Sequence, residues 1–365
     1  MNKSAISWSQ VSAFRLARHH FLDQHPADLV KICADVCGVQ AQVMSSARLA
    51  LLTRNRRIGP PDVQRALMEE RSVVRASCMR QTLHLLPATE FYTYITALKR
   101  SRVEAILRGM SRFGANRKDA DRLNEVVLDL LCEGPKTQKE MSKQIRPKVS
   151  KPTQAWMDRF WSPVRLAMVE GLVCYGPDRG KDSTIVRADH WLKKQKRLSE
   201  SESQRFLLRR YLSAYGPASP GDFSRWSGIS MKETMPVWNS MVEELSEVSI
   251  DDRKVSVLRE DYESLLSAKL RDTVLCLLPG FDPYLLAHVE KDHLVDESVY
   301  KRVYRNQGWI SPVVLLDGRV IGIWLIGKKG KSSSIEVELF EKVSKSLRSR
   351  NDQEAASLST FLTNE

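Results

Sequence analysis

Two stretches of the chain repeat one local plan, and that plan restricts the fold more than anything else in the sequence. Residues 133–141 read EGPKTQKEM and residues 215–223 read YGPASPGDF. Each ends a helix-patterned run with Gly-Pro, then offers a Ser or Thr as the cap of a second helix. A third helical run follows in both places, and then short β-rich segments: LVCYG and STIVRAD after the first, VSIDDRKVSVLR after the second. The N-terminal region has the same order without the Gly-Pro turn. Helical runs QVSAFRLARHHF, HPADLVKICADVCG, SSARLALLTRN and PPDVQRALMEE precede SVVRASC and RQTLHLLP, which alternate like the arms of a hairpin. Helices followed by a β-hairpin make a winged helix, and three tandem units are expected at residues 1–110, 111–200 and 201–272.

From residue 273 the pattern changes. TVLCLLPGFDPYLLAH, WISPVVLLDGRVIGIWLIG and SSIEVELF are strand-rich, and Asp317-Gly318 between apolar runs signals a tight hairpin. Residues 273–345 are expected to form a small antiparallel β-barrel or sheet, and residues 346–365 a polar helical tail with a frayed end. The fold class is therefore α+β, mainly α. Several local features can be checked one by one. Ser7 or Ser9 should cap the first helix, Pro26 should open the second and Gly38 should end it. Ser45 or Ser46 should cap the third, Thr137 should cap the helix after the first Gly-Pro turn, and WMDRFWSPVRLAMVEG reads as one helix.

The net charge is +13, from 57 Lys and Arg against 44 Asp and Glu. It is concentrated at one end. Residues 1–150 hold 25 basic against 14 acidic residues, and the rest hold 32 against 30. A basic N-terminal part points to a polyanion, nucleic acid first, with an inert basic surface as the plain alternative. No run of about 18 apolar residues exists to span a membrane. The start MNKSAISWSQ lacks the apolar core of a secretory signal, so a soluble cytoplasmic protein is expected, monomeric by default. Cys33 and Cys37 lie four apart with His19, His20 and His25 nearby. No second ligand pair has zinc spacing, so buried reduced thiols are the expected reading, with no metal and no cofactor.

Residues 38–43 read GVQAQV. Alternation puts Gln40 and Gln42 on one side of an extended chain. The pattern alone favours two amides bonded to backbone between helices. Arg48, Arg54, Arg56 and Arg57 lie on and after the next helix, fit either for phosphate or for solvent. Arg75 and Arg80 alternate with apolar residues on the expected hairpin, and His84 lies on its second arm. Asp282-Pro283-Tyr284 reads as a turn.

These stretches carry a resemblance. GVQAQV, VVRASCMRQTLHLLP, YGPASPGDFSRW, LLPGFDPYLLAH and GWISPVVLLDGRVIGIW, in that order over most of the chain, resemble the winged-helix family of AlkZ- and YcaQ-type bacterial DNA glycosylases. The resemblance implies three tandem winged helices curved around DNA, followed by a β-barrel element. It also implies that Gln40 and Gln42 are catalytic, since the AlkZ branch carries Gln, an aliphatic residue, then Gln, where the YcaQ branch ends in Asp. Arg48, Arg75, Arg80 and His84 become candidate DNA contacts. One departure stands out: the family's Arg-Gly-Thr-Leu-His reads Arg80-Gln81-Thr82-Leu83-His84 here, and a side chain at 81 would narrow the site or change the lesion that fits.

Amides can serve where the leaving group is already cationic. An N7-alkylated purine departs without protonation, so the protein need only orient a water and face the developing sugar cation with carbonyl dipoles. The expected activity is excision of N7-alkylated purines from double-stranded DNA, extending to interstrand crosslinks or bulky adducts. The rivals are a noncatalytic winged-helix regulator or architectural factor, and a protein-interaction scaffold.

Overall fold

The structure is a computed structural model and describes residues 6–22, 27–160, 162–329 and 332–363. The chain is 53% helical, so the mainly α expectation holds. Helix α1 (Trp8–Arg18) begins at Ser7 in a capping box with Gln10. Helix α2 (Leu29–Asp35) is capped by Asp28; His25 and Pro26, expected at its start, lie outside the described residues. It closes through Cys37 and Gly38, both left-handed (φ 56° and 91°), with Gly38 N–H donating to Cys33 O at 2.8 Å. Glycine at this position does what the sequence predicts. Strand β1 (Val39–Gln40) follows, then α3 (Met44–Leu52). Here the expected cap fails. The extended chain turns helical at Val43, which makes no side-chain cap bond, and this places Ser45 and Ser46 inside the first turn.

Helix α4 (Pro60–Met68) has prolines in its first turn, where no N–H is needed. Strands β2 (Val73–Ser77) and β3 (Leu83–Pro87) pair antiparallel, Ala76 opposite His84, and α5 (Phe91–Ser111) follows. Helix α6 (Arg117–Leu131) leads through Gly134 (φ 119°) to β4 (Lys136–Thr137) and α7 (Gln138–Ile145). Thr137 caps α7 in a box with Glu140, as expected. The next run is two helices rather than one, α8 (Lys151–Phe160) and α9 (Arg165–Val169). Pro163 between them has no N–H to continue the ladder, and Trp161 lies outside the described residues. Then come β5 (Val173–Tyr175), β6 (Thr184–Arg187), α10 (Ala188–Trp191), α11 (Glu200–Tyr215), α12 (Pro220–Ser227) and α13 (Met231–Asn239). Strands β7 (Leu245–Ile250) and β8 (Arg253–Leu258) turn at Asp251 and Asp252, both left-handed. The chain ends with α14 (Tyr262–Leu266), β9 (Leu275–Leu278), α15 (Tyr300–Val303), β10 (Val313–Leu316), β11 (Arg319–Lys329), β12 (Ser332–Leu339) and α16 (Lys345–Thr363). Asp317 (φ 49°) and Gly318 (φ 90°) form the predicted hairpin turn between β10 and β11.

The chain forms two compact units: residues 1–63, 208–226 and 230–365 make one, and residues 64–207 with 227–229 make the other. In the first, the C-terminal strands form an open antiparallel sheet in the order β12-β11-β10-β9. Of the two expected forms, the sheet is found and the barrel is not, because among the described residues β12 and β9 stand at opposite edges. One face of the sheet (Leu275, Leu277, Val314, Ile321, Trp324) packs on Leu49 and Leu52 of α3 and Leu358 of α16. The other (Leu278, Val313, Leu315) packs on Leu16 of α1 and on Tyr284, Leu285 and Val303. The expected C-terminal helix is present as α16, and it buries Leu358 to 1% exposure against the sheet. A third cluster joins α1 to the β7–β8 hairpin and α14 through Val11, Phe14, Val248, Val257 and Leu265. In the second unit, α5 to α9 share a core around Met110, Leu123, Met141, Trp156 and Leu166.

Candidate active site

The paired amides sit on a link that the core fixes from behind. Val39 and Ala41 are fully buried; Gln40 ends strand β1, and Gln42 lies in the bend that follows. Their surroundings differ. Gln40 is 7% exposed and enclosed, and Gln42 is open to solvent. One amide is held inside the protein and the other stands at its edge. No Asp or Glu occurs between Asp35 and Asp62, while Arg48, Arg54, Arg56 and Arg57 all do. The two flanking acids are committed elsewhere. The Asp35 carboxylate accepts from His20 Nε2 at 2.8 Å and Lys31 Nζ at 2.7 Å. Burial alone would raise its pKa, and these two bonds outweigh burial and hold it low. Asp62 accepts from Gly59 N–H at the start of α4.

The four arginines divide. Arg48, one turn into α3, is half-buried, and Arg57 is exposed. Arg56 is exposed and pairs with Glu354 of α16. Arg54 is not a phosphate ligand. Its side chain is completely buried and makes a bidentate pair with Asp282, both N–H···O distances 2.8 Å. It also donates to Ala50 O and lies over the Phe21 ring. Asp282 in turn accepts from Tyr284 N–H. The Asp-Pro-Tyr segment is therefore the structural turn the sequence indicated, and its carboxylate is what holds Arg54.

The β2–β3 hairpin lies in the second unit and carries the other three candidates. Arg75 lies over the Tyr175 ring at 4.9 Å and donates to Ser183 Oγ at 3.3 Å. Burial lowers its pKa, and its contacts join the β2–β3 hairpin to β5 and β6. Arg80 and Gln81 form the tip, both left-handed (φ 52° and 61°), closed by Thr82 N–H to Met79 O at 3.0 Å. Gln81 does not fold back into the protein: it is exposed, and its Oε1 accepts from Arg165 Nη2 at 2.9 Å. His84 is 2% exposed, with Nδ1 3.1 Å from Thr82 O. Desolvation and the neighbouring Arg80 depress its pKa to about 3 against the raising effect of that bond. Burial and Arg80 thus both disfavour the charged form of the His84 ring.

Three residues that sequence reasoning missed build the surroundings. Arg15 of α1, fully buried, donates to Gly216 O and Pro217 O and so clamps the second Gly-Pro turn. Arg102 of α5 donates to Cys78 O at 2.5 Å beneath the β2–β3 tip. Arg165 holds Gln81. Nothing in their local sequence distinguishes them from solvated arginines. Cys33 and Cys37 are both buried. Among the described residues no group of three His, Cys, Asp or Glu could hold a metal ion, and His25 lies outside them. No helix among the described residues is long and apolar enough to cross a membrane.

Comparison with known proteins gives the family of the chain. Residues 33–361 match the family described as "DNA glycosylase AlkZ-like". An "Interstrand DNA cross-link repair glycosylase" of Streptomyces sahachiroi is 32% identical over 328 residues, covering 88% of each chain. The solved structure of the Streptomyces sahachiroi DNA glycosylase AlkZ matches with a TM-score of 0.83 and 28% identity, over 99% of this chain and 97% of that one. The protein is a DNA glycosylase, and DNA is its substrate. Within that class, the chain belongs to the AlkZ-like family.

Proposed function

We propose that this glycosylase excises N7-alkylated purines from double-stranded DNA, using a water held by Gln40 and Gln42. The observation that carries the reading is the Gln40–Ala41–Gln42 link itself: two amides one residue apart, next to a buried Val39 and Ala41, in a segment without a carboxylate. Alkylation at N7 leaves the purine cationic. As the C1′–N9 bond breaks, its electron pair neutralises the ring, and the water oxygen bonds to C1′. The water proton passes to solvent, because an amide carbonyl accepts a hydrogen bond without keeping the proton. Gln40, enclosed, fixes one direction of that water, and Gln42, at the edge, completes its orientation next to the sugar. Neutral bases lack the weakened bond and are poor substrates.

The rest of the reading follows the sequence. Three tandem winged helices at residues 1–110, 111–200 and 201–272 hold the duplex, residues 273–345 and the helix after them brace α3, and the chain acts as a monomer. Arg48 and Arg80 take phosphates. Arg75 and His84 support the hairpin more than they touch DNA. The name of the Streptomyces sahachiroi relative extends the substrates to interstrand crosslinks. The test is release of free base from duplexes carrying N7-methylguanine, a neutral alkylated base, or a crosslink. Release from the first and third and none from the second is expected. Equal release of the neutral base would contradict the cationic-leaving-group mechanism.

A further inference from the structure

We propose that the loop around Trp309 is a second DNA-holding element, laying its indole against a nucleotide while Lys301 and Arg305 take the adjoining phosphates. The proposal rests on DNA as the substrate and adds a contact that the paired amides do not require. Trp309 is 55% exposed, the most exposed aromatic side chain among the described residues. It is nonetheless rigidly presented. Arg305 N–H donates to Trp309 O at 2.8 Å, and the indole rests on Phe281 with centroids 5.2 Å apart. The backbone beneath it leaves no slack. A Cβ on Gly280 would lie 2.7 Å from Ile310 O, so only glycine lets the 279–282 turn meet this loop. That turn is itself fixed by the buried Arg54–Asp282 pair.

Two bulky residues here hold unfavourable left-handed conformations, Phe281 at φ 64° and Gln307 at φ 60°. Strain of this kind persists where the surroundings over-determine the backbone, often at binding sites. The loop borders a shallow cleft of 550 Å³ lined by Lys301, Tyr304, Arg305, Asn306, Gln307 and Trp309, with no acid among them. Tyr304 anchors its floor through a bond to Leu285 O. Among the described residues Lys301 and Arg305 form no ion pair, whereas Arg302 between them is paired with Glu338. An exposed indole flanked by uncommitted cations and amides matches the stacking-plus-phosphate chemistry of nucleic-acid contacts.

The experiment measures Kd for an undamaged labelled duplex against salt, with wild type, Trp309→Ala, Trp309→Phe and a Lys301→Ala/Arg305→Ala double variant, each checked for folding by circular dichroism. Trp309→Ala should raise Kd about tenfold with the salt slope unchanged, and Trp309→Phe should recover most of that loss. The double variant should reduce the slope of log Kd against log salt by about 1.8, since each phosphate contact contributes about 0.9. Folded variants that bind like wild type in both Kd and slope would overturn the proposal and leave the glycosylase reading intact. Weakened binding by these variants would sustain it even if wild type released no N7-methylguanine, a result that would sink the substrate class instead.

Discussion

Gln81 occupies a backbone position that suits glycine. With Arg80 it forms a two-residue tip in which both φ values are positive, the geometry that favours Asn-Gly. The resemblance that places a glycine there has a physical reason, and this chain departs from it at a backbone cost. The side chain is exposed and accepts a hydrogen bond from Arg165. Gln81→Gly is expected to stabilise the protein by about 1 kcal/mol, as relief of left-handed strain exceeds the lost bond; urea denaturation measures it, and destabilisation would show that the Arg165 contact dominates. The sequence displays the odd residue but not the sign of its φ. Arg54 teaches the same lesson more strongly. In the sequence it is one of four similar arginines, and its partner Asp282 is 228 positions away. Asp282→Asn should cost about 3–5 kcal/mol, because it leaves a buried guanidinium without its counter-charge. A change under 1 kcal/mol in the same denaturation experiment would mean that water reaches the pair.

At the scale of elements, local signals were reliable where one or two residues decide the backbone. Ser7 and Thr137 cap their helices, Gly38 ends α2, and Asp317-Gly318 turns a hairpin. The misses arose where tertiary packing decides. The start of α3 follows from the extended glutamine link rather than from a serine, and whether the C-terminal strands close into a barrel depends on edges that no local pattern specifies. The polar last helix has few apolar residues, yet Ala355 and Leu358 are buried against the sheet, with Phe361 and Leu362 packed beside them. Arg75 offers an element-scale test. It joins the β2–β3 hairpin to Tyr175 and Ser183, so Arg75→Ala should lower stability by about 1 kcal/mol through lost packing. Its salt slope for DNA binding should equal that of wild type; a slope reduced by about 0.9 would return Arg75 to the phosphate contacts.

For the whole molecule, burial of histidine sets the pH response. Desolvation, followed by nearby arginines, depresses His84 to about 3 and His293 to about 2, and pushes His19 and His288 well below their usual value. Folded, these rings stay neutral; unfolded, they bind protons near pH 6.5. The unfolded state thus gains protons first as pH falls. The associated stability is complete above about pH 6.5 and is lost below it, by up to about 1.4 kcal/mol per pH unit for each ring. Melting temperatures should be level from pH 7 to 8 and fall steeply from pH 6 to 5; a flat profile would place these rings in water. The charge asymmetry and the glutamine pair were both legible in the sequence, but their chemistry was not. Amides carry no signature of activity until the core behind them and the commitment of the neighbouring acids are known. The central claim is that Gln40 and Gln42 perform the excision, and it is tested most directly by single-turnover release of N7-methylguanine from duplex DNA. Wild type is compared with Gln40→Ala, Gln42→Ala and the double variant at saturating enzyme. The account predicts a rate lowered about 10²–10³-fold in each single variant, with Kd for DNA unchanged. Release at the wild-type rate from a folded double variant would contradict it.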